Sequence, residues 1–337
     1  MIRKVFVALG VLGIVLGGGI YYLLGTYLDP PVDPAWAVSG TAHPEPGAVT
    51  VRWTGTSTLV FADGESTLII DGWFTRIPPL ALYAGGIAPD VDAIAAGLER
   101  NGVTRAAMVL PVHSHFDHAM DSPEVAKRTG ALLVGSESTA NIGRGWGLPE
   151  DQIRVVRDGD RLAFGDFEVV VHETKHFEFP DRAVRERALG DPVIDEPLVP
   201  PVDVFAYKVG TPLAVEVRHP RGSFLVQGSA GFLPGDFDDV DVDVVFLGVG
   251  GLGSQSEDYR ETYWQETVDA TSPRQVIPIH WDDLTAPIEG PFRGSVRIAG
   301  FLASGSEETL AFLEAKAAAH PDLEFTTLPR YDPVVLF

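Results

Sequence analysis

Three of the nine histidines in this 337-residue chain fall within six consecutive residues, in Val112-His113-Ser114-His115-Phe116-Asp117-His118. The run Ala106-Ala107-Met108-Val109-Leu110 precedes them and reads as a short buried strand. Pro111 closes it, because proline cannot donate to a sheet ladder. Three imidazoles and a carboxylate are therefore predicted on a loop at a strand end. From an extended loop, His113 and His115 both reach one cation. Asp117 and His118 turn toward a second position beside it. Imidazole suits Zn²⁺ and Fe²⁺, and a carboxylate adds a hard oxygen and negative charge. A chain that converges these groups needs a rigid scaffold beneath them.

The rest of the sequence supplies one. Apolar residues make up 45% of the chain, enough for a large core. Strands are predicted at 49–53, 58–61 and 66–70, with Asp63-Gly64 as a hairpin turn. Further strands are predicted at 132–134, 152–156, 161–164, 168–171, 207–209, 213–217, 224–226, 243–247 and 275–279. Helices are predicted at 91–100 with Asp90 as cap, from Ser122-Pro123, and at 136–142, 258–270 and 307–319. Together they predict one α/β domain, residues 48–337, of two mainly antiparallel sheets. The apolar loop from Trp73 through Tyr83 either binds something or packs on the body. Phe177 to Asp203 shows no clear structure, which for a connection of this length means function or disorder. His43, His219 and His320 read as surface residues. The glycine run at 248–253 has no Rossmann unit around it and reads as a loop near the site. With no cysteine in the chain, thiolate ligands and cysteine nucleophiles are excluded.

At the N-terminus, Arg3 and Lys4 precede a stretch without charge from Val5 to Leu28. Roughly 20 apolar residues span a bilayer as a helix, so residues 1–28 are expected to be an uncleaved transmembrane anchor. A proline-rich linker, 29–47, follows. Basic residues before the span and acids after it predict a single-pass protein of the cell membrane with its catalytic domain extracytoplasmic. The net charge of −22, with no basic stripe, argues against nucleic acid as a partner. A small-molecule or lipid-like substrate is expected.

The motif His113-x-His115-x-Asp117-His118 after an apolar strand resembles the signature of the metallo-β-lactamase superfamily, and the resemblance extends over most of the chain from about Val49. It implies a four-layer αββα sandwich with a one- or two-metal site at the edge of its sheets. It also implies a hydrolase acting on an ester, lactone, amide or phosphodiester. Zn²⁺ is the expected ion, one or two per chain, other divalent metals being admissible. The resemblance places a third imidazole just past the strand at 168–171. His172 continues the alternation of that strand and His176 lies beyond it; His176 is the expected ligand. His280, at the end of the strand at 275–279, matches the last ligand. The implied sets are His113, His115 and His176 for one ion, and Asp117, His118 and His280 for the other. Asp117 would also orient the water and receive its proton. Asp71 matches an acid near the metals, or is an ordinary turn acid. Where the family usually has a bridging aspartate, in a Gly-Asp-Thr/Ser-Gly turn, Gly228-Ser229-Ala230-Gly231 carries Ser229. The alternative function is a metal-binding, non-hydrolytic module of the same fold. A di-iron oxidative enzyme would want another carboxylate at His118 or Ser229.

Overall fold

The computed structural model describes residues 2–41, 43–79, 81, 85–298 and 305–337. Among these residues, fourteen strands form two seven-stranded sheets. The first contains β1 (Thr50–Gly55), β2 (Thr58–Ala62), β3 (Thr67–Ile70), β4 (Met108–Leu110), β5 (Leu132–Gly135), β6 (Ile153–Val155) and β14 (Val334–Val335), in the order β14-β1-β2-β3-β4-β5-β6. The second contains β7 (Arg161–Phe164), β8 (Phe167–Glu173), β9 (Leu213–His219), β10 (Gly222–Gln227), β11 (Val244–Gly248), β12 (Gln275–Ile279) and β13 (Glu324–Phe325), in the order β13-β12-β11-β10-β9-β8-β7.

Alternation along the strands sorts side chains between layers. Leu59, Phe61, Leu68, Ile70, Met108 and Leu110 enter the cluster shared with the second sheet. There Phe61 stacks on Phe224, with ring centroids 4.2 Å apart. Their strand neighbours Val60, Ile69 and Val109 face the other way, onto Ile94, Leu98 and Val125. Those three belong to the helices Val91–Arg100 and Ser122–Thr129. Against the second sheet, Trp264 ends the helix Glu257–Trp264, and Phe312 and Leu313 lie in Ser306–Ala319.

The sheets are mixed rather than mainly antiparallel. β1, β2 and β3 pair antiparallel, whereas β3 to β6 pair parallel. The second sheet repeats this scheme, antiparallel from β7 to β10 and parallel from β10 to β13. A parallel pair needs a crossover connection; helices supply it for every parallel pair except β10–β11, which the turns of 228–243 join. Tyr207-Lys208-Val209 is not a strand: a 3₁₀ turn, Val204–Ala206, precedes it and the Tyr207 side chain is buried in a satellite core. The helix expected over 258–270 passes into a π-helical turn at Gln265–Asp269.

The expected transmembrane anchor is corrected. The first helix runs Ile2–Gly25, yet among the described residues no helix is long and apolar enough to cross a membrane. The membrane-tethered, extracytoplasmic placement falls with it. Absence of charge is not apolarity: the segment carries glycine at 10, 13, 17–19 and 25, which lengthens a helix without adding apolar surface. The next stretch lies against the body, with Val32 buried and the Trp36 ring 5.0 Å from Phe325. Of the apolar loop, Trp73, Phe74 and Ile77 are buried; Leu80, Leu82 and Tyr83 lie outside the described residues.

Candidate metal centre

β3, β4, β8, β10 and β12 all point their C-terminal ends to one edge of the sandwich, and every site residue follows one of those ends. After β4, one helical turn, Phe116–Ala119, places Asp117 and His118 beside His113 and His115. His176 follows β8, and His280 follows β12 directly. His113, His115 and His176 each offer a donor atom within 4.8 Å of the others, and so do Asp117, His118 and His280. The two triads adjoin, the His113 and His118 rings lying 3.8 Å apart. His172 stays in its strand with Nε2 3.0 Å from the Glu216 carboxylate and joins neither set.

The nitrogen facing each cluster is fixed by what the other nitrogen does. Asp71 Oδ2 accepts from His118 Nδ1 at 2.7 Å. The Phe177 carbonyl accepts from His176 Nδ1 at 2.7 Å. The Ala188 carbonyl lies 3.4 Å from His115 Nε2. These contacts turn Nε2 of His118, Nε2 of His176 and Nδ1 of His115 toward the clusters. His113 Nε2 lies 3.1 Å from His115 Nδ1, and His118 Nε2 lies 3.1 Å from His280 Nε2. Asp117 Oδ2 is 3.4 Å from Nε2 of both His118 and His280.

These separations fit a metal. Two ligands of a tetrahedral ion with bonds of about 2.0–2.1 Å stand about 3.4 Å apart. Burial, reinforced by the neighbouring imidazoles, holds His113 and His176 well below the usual histidine range, and burial lowers His115 to about 4. The first triad is thus three neutral imidazoles. Burial also opposes charge on His118, but the charges and hydrogen bonds of Asp71 and Asp117 outweigh it and raise the ring to about 10. Burial would raise Asp117, yet His118 and His280 hold it well below the usual carboxylate range. The second pocket therefore favours positive charge.

Several supports are not visible in the motif. Asp71 is fully buried with φ +58, and its Oδ1 accepts the Val112 N–H at 2.9 Å. His280 also has positive φ, +59, and its N–H donates to Thr56 O at 2.9 Å. Positive φ at non-glycine residues clusters at functional sites. Thr56 N–H in turn donates to Asp282 at 2.6 Å, tying the His280 loop to the β1–β2 turn. Gly250 lets the next loop approach: a Cβ there would stand 2.6 Å from His280 Nδ1. The 177–203 connection is ordered around the helix Arg182–Leu189, capped by Asp181, and it brings Ala188 to His115.

Ser229 is buried after β10, and its Oγ has no hydrogen-bond partner among the described residues. Its turn lies between the two ligand segments, Gly228 close against Val112 and Gly231 against Lys175-His176. Asp236 has Asp158, His172 and Glu266 as its charged neighbours and belongs to neither triad.

No family model matches the chain. The UPF0173 metal-dependent hydrolase of Pyrobaculum islandicum is 23% identical over 238 residues, 69% of this chain and 84% of that protein. The corresponding protein of Pyrobaculum arsenaticum is 26% identical over 237 residues, with the same coverage. Among solved structures, Igni18, a metallo hydrolase from Ignicoccus hospitalis, superposes with a TM-score of 0.50 at 14% identity, covering 86% of this chain and 99% of that one. A possible metal-dependent hydrolase from Veillonella parvula gives 0.51 at 12% identity, covering 86% and 99%. At such identities the superpositions speak for the fold alone.

Proposed function

We propose that this chain is a metal-dependent hydrolase of the metallo-β-lactamase superfamily, with residues 48–337 forming a hydrolase domain that holds one or two Zn²⁺ ions; the relatives named metal-dependent hydrolases and the histidine motif support this reading. Its substrate is a small or lipid-like ester, lactone, amide or phosphodiester. The observation that carries this reading is the pair of adjoining triads, each with its donors within 4.8 Å of one another and four donor pairs 3.1–3.4 Å apart. His113, His115 and His176 would hold one ion; Asp117, His118 and His280 would hold the other. Bound there, an ion would supply a water with its pKa lowered toward about 7 and polarisation of the scissile carbonyl or phosphoryl oxygen. Asp117 would orient that water and take its proton. Asp71 keeps the His118 ring in the tautomer that presents Nε2. Ser229 stands in the turn where the family usually carries a bridging acid, so one of the two ions would be the more readily lost. The acidic charge of the chain, −22, disfavours nucleic-acid substrates.

A non-hydrolytic module is the weaker reading, because both triads are complete and carry a proton acceptor in Asp117. The test is a panel of chromogenic ester, lactone, anilide and phosphodiester substrates. It is run on metal-stripped protein, on protein reloaded with Zn²⁺, and on His113→Ala/His115→Ala. Metal-dependent turnover lost in the double variant supports the proposal and names the substrate class. Full zinc binding without turnover of any member would favour the non-hydrolytic module.

A further inference from the structure

At the opposite edge of the sandwich, three turns meet. Asp63 lies between β2 and β3, Asp166 between β7 and β8, and His219 at the end of β9. Asp63 belongs to the first sheet, the other two to the second. Their donor atoms lie within 4.8 Å of one another. His219 is not the surface residue its sequence position predicts: its side chain is only 5% exposed, as is that of Asp63. The Phe167 ring packs 5.0 Å from the imidazole.

The arrangement has an unmet donor at its centre. Asp63 Oδ1 accepts the N–H groups of Glu65 and Ser66 at 2.8 and 2.7 Å, which fixes the carboxylate. Its Oδ2 is left facing His219 Nε2 at 3.6 Å. That is too long for an N–H···O bond, whose usual span is about 2.7–3.2 Å. His219 Nε2 is buried and has no hydrogen-bond partner among the described residues. A separation of 3.6 Å is instead close to the roughly 3.4 Å between two ligands of one four-coordinate ion. The third donor, Asp166, is exposed, which gives an ion a way in and leaves room for water to complete its shell. Glycine at 165, with φ +61, lets this turn lie against Ser66, where a Cβ would overlap the Ser66 hydroxyl.

We propose that Asp63, Asp166 and His219 form a second, structural site for a divalent transition cation, which clamps the two sheets together at the edge remote from the histidine-rich centre. Imidazole with two carboxylates is a donor set suited to Zn²⁺. The Arg221 N–H donates to His219 Nδ1 at 3.2 Å, which in the cation-free protein places the ring proton on Nε2. Binding moves that proton to Nδ1, so the exposed turn at Arg221 must swing its N–H away from the ring as the metal–Nε2 bond forms, with no net proton released from the ring.

The test is zinc titration of the full chain after chelator stripping, followed by metal counting. It compares wild type, His219→Ala and Asp166→Asn. His219→Ala should bind one ion fewer than wild type and lose part of the zinc-induced rise in Tm. Asp166→Asn should weaken one ion at least tenfold and leave the others unchanged. Asp166 lies on an exposed turn, so this variant keeps the question decidable if His219→Ala does not fold. A third variant, His113→Ala/His118→Ala, should still hold an ion that His219→Ala removes. Equal stoichiometry and affinity in wild type, His219→Ala and Asp166→Asn would overturn the proposal and leave a buried acid–imidazole contact only.

Discussion

Asp71→Asn separates the charge of this residue from its shape. The left-handed backbone at 71, φ +58, is one that asparagine tolerates, so the chain path is kept. The amide oxygen still accepts the Val112 N–H that Oδ1 accepts at 2.9 Å. The amide nitrogen replaces Oδ2 and faces His118 Nδ1, now bonded at 2.7 Å. Two donors cannot face each other, so the ring moves its proton to Nε2. That removes the lone pair directed toward Asp117 and His280. A hydrogen bond to a charged group contributes about 1.5–3 kcal/mol. Loss of a partner that orients a ligating histidine typically weakens a metal about 10–100-fold, or about 1.4–2.8 kcal/mol. The two estimates agree. Competition with a chromogenic chelator should show one ion weakened by that factor while the other is unchanged. Asp71→Ala serves as the contrast: it also strands the Val112 N–H and places alanine in the left-handed region, so metal-free stability should fall by about a further 1–3 kcal/mol. Wild-type affinity for every ion in Asp71→Asn would refute the tautomer argument.

Gly250→Ala should lower affinity for the ion beside His280 and spare the other, because its Cβ would stand 2.6 Å from His280 Nδ1; unchanged binding measured by the same competition counts against it. Ser229→Asp should tighten the weaker ion in a chelator titration, since a carboxylate offsets repulsion between two dications; two equally tight ions in both proteins would mean that another group already serves there. Burial, working against the hydrogen bonds from Thr75 and Phe74, raises Asp121 from 3.8 to about 6. The folded state thus holds this proton more tightly than the unfolded state, and the stability it contributes is full below about pH 4 and lost as pH rises through about 6. The stability difference between wild type and Asp121→Asn, from urea unfolding, should fall across that window and then level; a difference that stays constant with pH excludes the linkage.

What the sequence made legible was local. His113, His115, Asp117 and His118 are close in sequence, so spacing alone implied convergence. His280 was reachable because it ends an apolar strand. Asp71 was ambiguous because its backbone conformation is set by packing: its own N–H donates to Leu110 O, and the Ser122 hydroxyl donates to its carbonyl at 2.5 Å. The glycine run at 248–253 marked a loop near the site but not the approach of Gly250 to His280, and Ala188 gave no signal, since each matters only through a distant histidine. The 177–203 connection looked structureless because prolines and charged residues interrupt its apolar ones. Yet Ile194 and Leu198 pack into the core, and the Asn141 side chain donates to Ile194 O at 2.7 Å. Strand direction was illegible for a different reason: a short apolar strand reads the same whether its partner is parallel or antiparallel.

Each triad draws on both sheets. His113, His115, Asp117 and His118 follow β4 in the first, whereas His176 and His280 follow β8 and β12 in the second. Neither set is complete until the sheets pack, and the contact that fixes their spacing is apolar, with Phe61 on Phe224 at its middle. Metal affinity would then be partly folding free energy: ions at this edge would stabilise the same inter-sheet contact that assembles their ligands. The set at Asp63, Asp166 and His219 obeys the same rule at the other edge, one residue from the first sheet and two from the second. Cations bound at both edges would restrain sliding of one sheet over the other, and that sliding is the motion that would pull His176 and His280 away from the histidine loop.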